Sequence, residues 1–244
     1  MHTLSIVIPT LNEETSLEPT LRQLLHLDPP AFEIIIVDGG STDTTEKIAR
    51  GLSVEFVTSE KTGRAAQMNL GATLATGSNI CFLHADTLVP KNLTQIIDET
   101  LAKPETALAG FTSMMGQPGK TRWFTTLLNY SKTYLAPLMY NPYRCLFKGL
   151  RLLFGDQAMF CRLADFHQVG GFDDEKRIME EADLCTKLNR LGRIRQIPQQ
   201  VYTSDRRIVQ LGFWRAHVIY LGIFFLWILG VSTDKLQRYY KIIR

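Results

Sequence analysis

The chain has 244 residues, enough to bury one substantial core, or one domain with a smaller appendage. With 45% hydrophobic and 21% charged residues, its composition is that of a folded globular protein and excludes a disordered chain. The formal charge of +3 hides an asymmetry: residues 1–176 carry 15 Lys and Arg against 19 Asp and Glu, and residues 177–244 carry 12 against 5. Positive charge is the only feature that points toward nucleic acid, and no nucleic-acid partner is expected.

Leu4–Ile8 is the first strand expected from the pattern, and it meets Pro9 too soon to form the apolar stretch of a signal peptide, so a cytosolic protein is expected. Leu17, Leu21, Leu24 and Leu25 recur at helical spacing until Asp28-Pro29-Pro30 stops them. Ile34–Val37 is a second strand, and Ser41-Thr42-Asp43 caps a helix that runs through Arg50 to Gly51. Val54–Val57 follows as a strand, Arg64–Ala75 as a helix closed by Gly77, Ile80–Leu83 as a fourth strand and Asn92–Leu101 as another helix. This alternation predicts βαβ units in a parallel, right-handed, doubly wound α/β sheet flanked by helices. Cys81 lies inside an apolar strand, and none of Cys81, Cys145, Cys161 and Cys185 has CxxC spacing, so reduced core thiols are expected and bridges are not.

Past Leu108 the alternation stops. No acidic residue occurs between Glu105 and Asp156, whereas Lys120, Arg122, Lys132, Arg144, Lys148 and Arg151 are interleaved there with Trp123, Phe124, Tyr130, Tyr134, Tyr140, Tyr143 and Phe147. Such a stretch suits an anionic membrane surface or a phosphate-bearing acceptor; the plainer alternative is a pair of amphipathic helices with solvated cations. Ala158–Cys161 is a short strand, Gly170-Gly171-Phe172 a turn, and Glu180–Leu191 a helix ended by Gly192. Val218–Val231 holds fourteen uncharged residues, short of the ~20 that a membrane span needs. Its aromatics and basic neighbours suit an interfacial or re-entrant helix, with a buried core helix as the alternative.

Polar and acidic clusters stand where the apolar strands end: Pro9-Thr10-Leu11-Asn12-Glu13 after the first, Asp38 after the second and His84-Ala85-Asp86 after the fourth. In an open α/β sheet the crevice beyond the strand carboxyl ends is where ligands bind. Asp38 opens a Gly39-Gly40-Ser41-Thr42-Asp43 turn whose glycines admit close backbone approach, although GxGxxG is absent; Asp43 is best explained as a partner of the helix dipole. His84 and Asp86, two residues apart, can point the same way, and a hard cation such as Mg²⁺ or Mn²⁺ often takes only one or two protein ligands. Glu180, Glu181 and Asp183 open a helix in greater number than a cap needs, so one of them is a candidate general base. Gly155-Asp156-Gln157 is a further polar group beside a strand.

Ser5–Glu14, Ile35–Asp43, Gly63-Arg64-Ala65-Ala66-Gln67-Met68-Asn69 and Phe82-Leu83-His84-Ala85-Asp86 together resemble, in this order, the successive motifs of family 2 glycosyltransferases of the GT-A fold. Gly155-Asp156-Gln157, Gly170-Gly171-Phe172 and Met179–Leu184 extend the likeness over nearly the whole chain, which is similar to a small bacterial subgroup described as selenodomain-associated transferases.

The resemblance implies a single GT-A domain over 1–244: a nucleotide-sugar-binding half (1–104), an acceptor-binding half (105–205) and a C-terminal helical segment (206–244). Pro9, Thr10, Asn12, Glu13 and Asp38 would hold the nucleoside, Gly63 and Arg64 would approach the base or diphosphate, and Asp156 and Gln157 would face the same crevice. Asp86 matches the last carboxylate of the DxD motif that holds the metal, Mg²⁺ or Mn²⁺, while His84 stands where the family usually has the first Asp. Glu181, the base, stands where the family commonly has Asp. The implied reaction is inverting transfer from a nucleotide-sugar to a hydroxyl or lipid-phosphate acceptor, and the basic, aromatic stretch makes a peripheral site at the inner face of the cell membrane the expected location. Two rivals are a nucleotidyltransferase that makes nucleotide-sugars, which usually has a Gly-rich basic loop after the first strand, and a non-catalytic nucleotide-sugar or membrane-binding module.

Overall fold

The computed structural model describes residues 3–52, 54–176, 178–233 and 235–236; the last stretch of the expected C-terminal segment, 237–244, lies outside the described residues. Four parallel strands, β1 (Leu4–Thr10), β2 (Glu33–Asp38), β3 (Glu55–Thr58) and β4 (Asn79–Phe82), lie in the order β3-β2-β1-β4. Successive side chains of a strand face opposite sides, and here both sides are apolar. Leu4, Ile6, Ile8, Ile34 and Ile36 pack with Leu17, Leu21 and Leu24 of α1 (Leu17–Leu24) and with Leu93, Ile97 and Leu101 on the following helical face. Val7, Ile35 and Val37 face the other way onto Ala65, Met68 and Ala72. The helices that supply these layers after α1 are α2 (Thr45–Gly51), α3 (Arg64–Leu74) and α4 (Leu93–Leu101).

The sheet continues through strands that the sequence pattern only partly predicts. After the two-residue β5 (Thr87–Leu88) comes β6 (Thr106–Gln117), twelve residues long, with β7 (Lys120–Thr121) folded back on its end. The short strand expected around Ala158–Cys161 is β8 (Met159–Arg162), antiparallel to both β4 and β6. β9 (Arg193–Thr203) lies parallel to β6. The complete order is β3-β2-β1-β4-β8-β6-β9-β5, mostly parallel with an antiparallel insertion. β6 escapes a sequence-based reading because its Gly110 and small residues blur the apolar pattern, and β9 because Pro198 and five Gln or Arg positions interrupt it.

The basic, aromatic stretch forms α5 (Trp123–Tyr140) and α6 (Pro142–Phe147), followed by a 3₁₀ turn at Gly155–Gln157. Pro137 inside α5 cannot donate to the Thr133 carbonyl, and the Leu152 amide takes that acceptor at 3.4 Å. α7 (Leu163–Gln168), α8 (Glu180–Leu188), α9 (Arg206–Leu211) and α10 (Phe213–Ile228) complete the fold. α10 packs beside α5 in the same direction, Phe124 against Phe213 near one end and Tyr140 stacked on Trp227 near the other. Among the described residues no helix is long and apolar enough to cross a membrane. All four cysteines are free and buried, as expected.

Gly71 shows how closely α3 sits on the sheet. A Cβ there would collide with Val7 Cγ1 and lie 3.1 Å from Val37 Cγ2, both branched and buried. Replacing a helix glycine by alanine ordinarily helps by ~0.5–1 kcal/mol, but forcing atoms into a packed core costs ~1–3 kcal/mol. Gly71→Ala is therefore expected to lower Tm by roughly 2–8 °C, whereas Gly51→Ala, which meets nothing within 4 Å, leaves it unchanged or higher; differential scanning calorimetry of the two variants checks the contrast.

Candidate active site

β1 and β2 end side by side, with Thr10 paired to Asp38. Asp38 is buried and its carboxylate organises the turn that follows. Oδ1 accepts from the hydroxyls of Thr10 (3.0 Å) and Ser41 (2.5 Å), and Oδ2 from the amides of Gly40 (2.9 Å) and Ser41 (2.7 Å). Asn12 braces the same turn from β1: its amide donates to Ser41 Oγ at 2.8 Å and its Oδ1 accepts from the Thr42 amide at 2.8 Å. Gln67 of α3 donates from Nε2 to the carbonyls of Thr10 and Val37, both at 2.8 Å, and so pins the two strand ends together. Asp43 begins no helix directly, since α2 starts at Thr45. Burial pulls its pKa up, but hydrogen bonds from Thr45 and from the Glu14 amide together outweigh that and hold the carboxyl below the usual range, the behaviour of a structural brace.

The turn after β4 carries His84 and Asp86, both partly accessible. It is held by Thr20 Oγ1 donating to Ala85 O at 2.8 Å and by the Ser204 amide reaching Asp86 O at 3.4 Å. Among the described residues no three His, Cys, Asp or Glu side chains gather as a metal-binding group. The protein can thus offer a cation one carboxylate and one imidazole here. That donor set fits an ion that takes its other ligands from phosphate oxygens and water, and the imidazole suits Mn²⁺ better than Mg²⁺.

α3 and α8 bring the remaining candidates together. Gly63, at φ +116° where a side chain would be strained, starts α3, and Arg64 in its first turn places Nη1 3.3 Å from Glu181 Oε1 and 3.9 Å from Glu180 Oε1. Both glutamates are buried. Asp183, by contrast, pairs with Lys176 and Lys187, which accounts for the third carboxylate of the trio as a structural group. Gly155 lies where these groups converge: a Cβ there would collide with His84 Nε2 and stand 2.9 Å from Glu181 Oε1. The metal candidate and the base candidate therefore both pack against Gly155, an approach that only a residue without a side chain allows.

Asp156 is half-buried beside that space, and its Oδ2 accepts from Asn129 Nδ2 at 3.2 Å. Burial pushes its pKa up, Glu181 adds to the rise, and the Ser113 hydroxyl and Lys132 pull against it. Burial lowers that of Lys132, which Asp156 partly restores. Gln157 is buried: its Nε2 donates to Thr133 Oγ1 at 3.0 Å and its Oε1 accepts from the Phe154 amide. Through these two bonds Gln157 helps hold α5 to the 3₁₀ turn. Asn12, Ala158 and Met179 are the non-glycine residues with left-handed φ among the described residues, and all three flank this crevice.

Several residues escaped the sequence reading. Gln67 and Asn69 belong to a motif singled out there, but their roles depend on partners far along the chain: Asn69 exchanges hydrogen bonds with the Phe172 backbone, Nδ2 to the carbonyl and Oδ1 from the amide, both at 2.9 Å. Arg206 of α9 pairs with Glu13 at 2.9 Å and reaches the hydroxyls of Thr15 and Ser16. Asn129 and Lys132 had no signal beyond the shortage of acids around them.

The chain is 35% identical over 112 residues to validoxylamine A glucosyltransferase of Streptomyces hygroscopicus subsp. limoneus and 39% identical over 88 residues to a PGL/p-HBAD biosynthesis glycosyltransferase of Mycobacterium bovis. These stretches cover 43% and 34% of this chain but only 25% and 34% of those proteins' own lengths. In fold it is similar to glucosyl-3-phosphoglycerate synthase of Mycobacterium tuberculosis (TM-score 0.64, 19% identity, 95% of this chain and 81% of that one). It is also similar to a mannosyltransferase of Pyrobaculum calidifontis (TM-score 0.62, 19% identity, 82% and 56%). Both are GT-A structures, and the sheet order and strand-end crevice described above are of that type. The profile of the family described as glycosyl transferase family 2 matches residues 5–166, a stretch that takes in every strand-end cluster from Thr10 to Asp156, and the chain belongs to that family.

Proposed function

We propose that the protein transfers a sugar, with inversion, from a nucleotide-sugar donor to a hydroxyl or lipid-phosphate acceptor, assisted by Mg²⁺ or Mn²⁺. The observation that carries this reading is the meeting of Arg64, Glu181 and His84 around Gly155, with Asp86 two residues after His84 in the chain. The similar synthase of M. tuberculosis was crystallised with Mn²⁺ and uridine diphosphate, and the mannosyltransferase with GDP-mannose and Mn²⁺, which supports a donor of that class.

In the proposed reaction the acceptor oxygen attacks the anomeric carbon as the bond from that carbon to the diphosphate breaks on the opposite face. Pro9, Thr10, Asn12, Glu13 and Asp38 form the wall for the nucleoside, with Asp38 and Asn12 acting largely through the turn they rigidify. Gly63 lets α3 begin against the ligand, and Arg64 offsets charge that builds on the departing diphosphate, a kind of stabilisation that is often the largest catalytic contribution. A bound divalent ion, held by Asp86 and His84, would neutralise the same phosphates. Glu181 accepts the proton of a hydroxyl acceptor, and Asp156 borders the acceptor side. An ionised phosphate acceptor would need no base.

A peripheral position at the cytoplasmic face of the membrane is part of the proposal. Trp123, Leu127, Tyr143, Phe147, Trp214, Val218, Phe225 and Leu229 are exposed on α5, α6 and α10, and no acidic residue lies between Glu105 and Asp156 to repel anionic lipid.

Asp86→Ala is expected to abolish sugar transfer and metal-dependent nucleotide binding together, measured by nucleoside diphosphate release and by titration with Mn²⁺; full activity, or activity that survives excess chelator, overturns the metal role. Glu181→Gln is expected to cost ~10²–10⁴-fold in kcat with a hydroxyl acceptor while donor affinity is kept. Near-normal turnover instead assigns the acceptor to an ionised phosphate. Replacing Trp214 and Phe225 together by Ser should reduce co-sedimentation with phosphatidylglycerol-containing vesicles several-fold without changing the melting temperature; unchanged sedimentation removes the membrane from the proposal.

A further inference from the structure

A second cavity opens at the edge of the sheet opposite the candidate active site. β6 and β9 begin at that edge, where Thr106 pairs with Arg193, and run to the crevice edge, where Met115 pairs with Thr203. At about 3.3 Å per residue the eleven residues of β9 separate the two edges by roughly 30 Å. The cavity has a volume of about 520 Å³, within the range of small-ligand sites.

Its walls are specific features of this chain. The β6–β9 register jumps from Gly110/Gln196 to Thr112/Gln200, so Ile197, Pro198 and Gln199 bulge out of the ladder, held by Thr112 Oγ1 donating to Ile197 O at 2.9 Å. Lys103 just beyond the end of α4, Arg151 after α6, and Arg193 and Arg195 at the start of β9 line the space with Tyr134. Gly149, at φ +65°, is packed so closely on the Arg193 stem that a Cβ would stand 3.0 Å from its Cγ. Arg151 is held in place by Nη1 donating to the carbonyls of Cys145 and Leu150, with its guanidinium 5.2 Å over the Tyr134 ring.

Charge is the telling property. Four cations line the cavity against one carboxylate, Glu99, which already accepts from Gln95 at 2.8 Å. Arg195 is paired with Glu105, but among the described residues Lys103, Arg151 and Arg193 make no ion pair. Like charges held together by a fixed frame repel one another, and an anion relieves that repulsion. Three guanidinium groups, planar and able to donate in pairs, match phosphate oxygens, while Tyr134, Ile197 and Pro198 offer a surface to an attached organic group.

We propose that this cavity is a second binding site, separate from the donor crevice, for a phosphate-bearing ligand. The phosphate has two possible sources: a soluble phosphate compound, or the headgroup of an anionic lipid, since the exposed Tyr143, Leu146 and Phe147 of α6 come just before the Gly149–Arg151 wall in the chain.

The test uses the full chain and its Lys103→Gln/Arg193→Gln double variant, neither position being in the transfer machinery. One arm titrates inorganic phosphate at constant ionic strength balanced with chloride, read by calorimetry. The other measures sedimentation with phosphatidylcholine vesicles with and without phosphatidylglycerol. Saturable phosphate binding that weakens about tenfold or more in the variant, with melting temperature and donor binding unchanged, establishes the site for soluble phosphates. Phosphate without effect, together with phosphatidylglycerol-dependent sedimentation that falls in the variant, assigns it to a lipid headgroup. Equal behaviour of the two proteins toward both probes, or no binding of either probe by the parent chain, overturns the proposal.

Discussion

The two-sided burial of β1, β2 and β4 governs where everything else can be. Leu4, Ile6, Val7, Ile8, Ile35 and Ile36 have no accessible surface, and an unpaired polar group among them would cost about 2–7 kcal/mol. Polar side chains are therefore confined to the strand ends, where the ladder stops and carbonyls need new donors. Gln67 meets that need for Thr10 and Val37 at once, so a helix side chain ties together the ends of two strands whose register their own ladder sets. Asp38 then uses both carboxylate oxygens to shape the next turn. The crevice is rigid on this side because its polar atoms satisfy one another.

The opposite wall comes from distant parts of the chain, and single side chains bridge the gap. Arg64 reaches Glu181, Asn69 holds the turn at Phe172, and Arg206 returns from the C-terminal segment to Glu13. Each bridge runs from the N-terminal half to a residue more than a hundred positions later. Gly155 adds the complementary constraint, since His84 and Glu181 can both approach it this closely only because it has no side chain.

Outside the crevice the chain is divided by surface chemistry. α5, α6 and α10 expose aromatic and aliphatic side chains on their outer faces, while α5 and α10 bury their inner faces against each other and the sheet. The cations that follow α6 and begin β9 collect instead at the far sheet edge. The basic, aromatic stretch thus serves two distinct features: its helices join an apolar face, and its Arg151 joins a cationic cavity whose other cations come from outside it.

Sequence by itself determined the first half of the fold, because buried parallel strands and the helices between them announce themselves through continuous apolar runs, helical spacing and Gly or Pro stops. It also singled out Thr10, Asp38, His84, Asp86, Arg64 and Glu181 as candidates, since strand-end polar clusters and motif order are local properties. Tertiary structure alone decided the rest. β6 and β9 are strands because they pair with each other across more than seventy intervening residues, and neither carries a strong pattern of its own. The hydrogen bond from Gln157 to Thr133 was not legible in the sequence, and Asp183, indistinguishable in sequence from Glu181, is taken by two lysines. The spacing of residues along a chain reports which chemistry is present, but whether a side chain is free to perform it depends on which distant partner reaches it first.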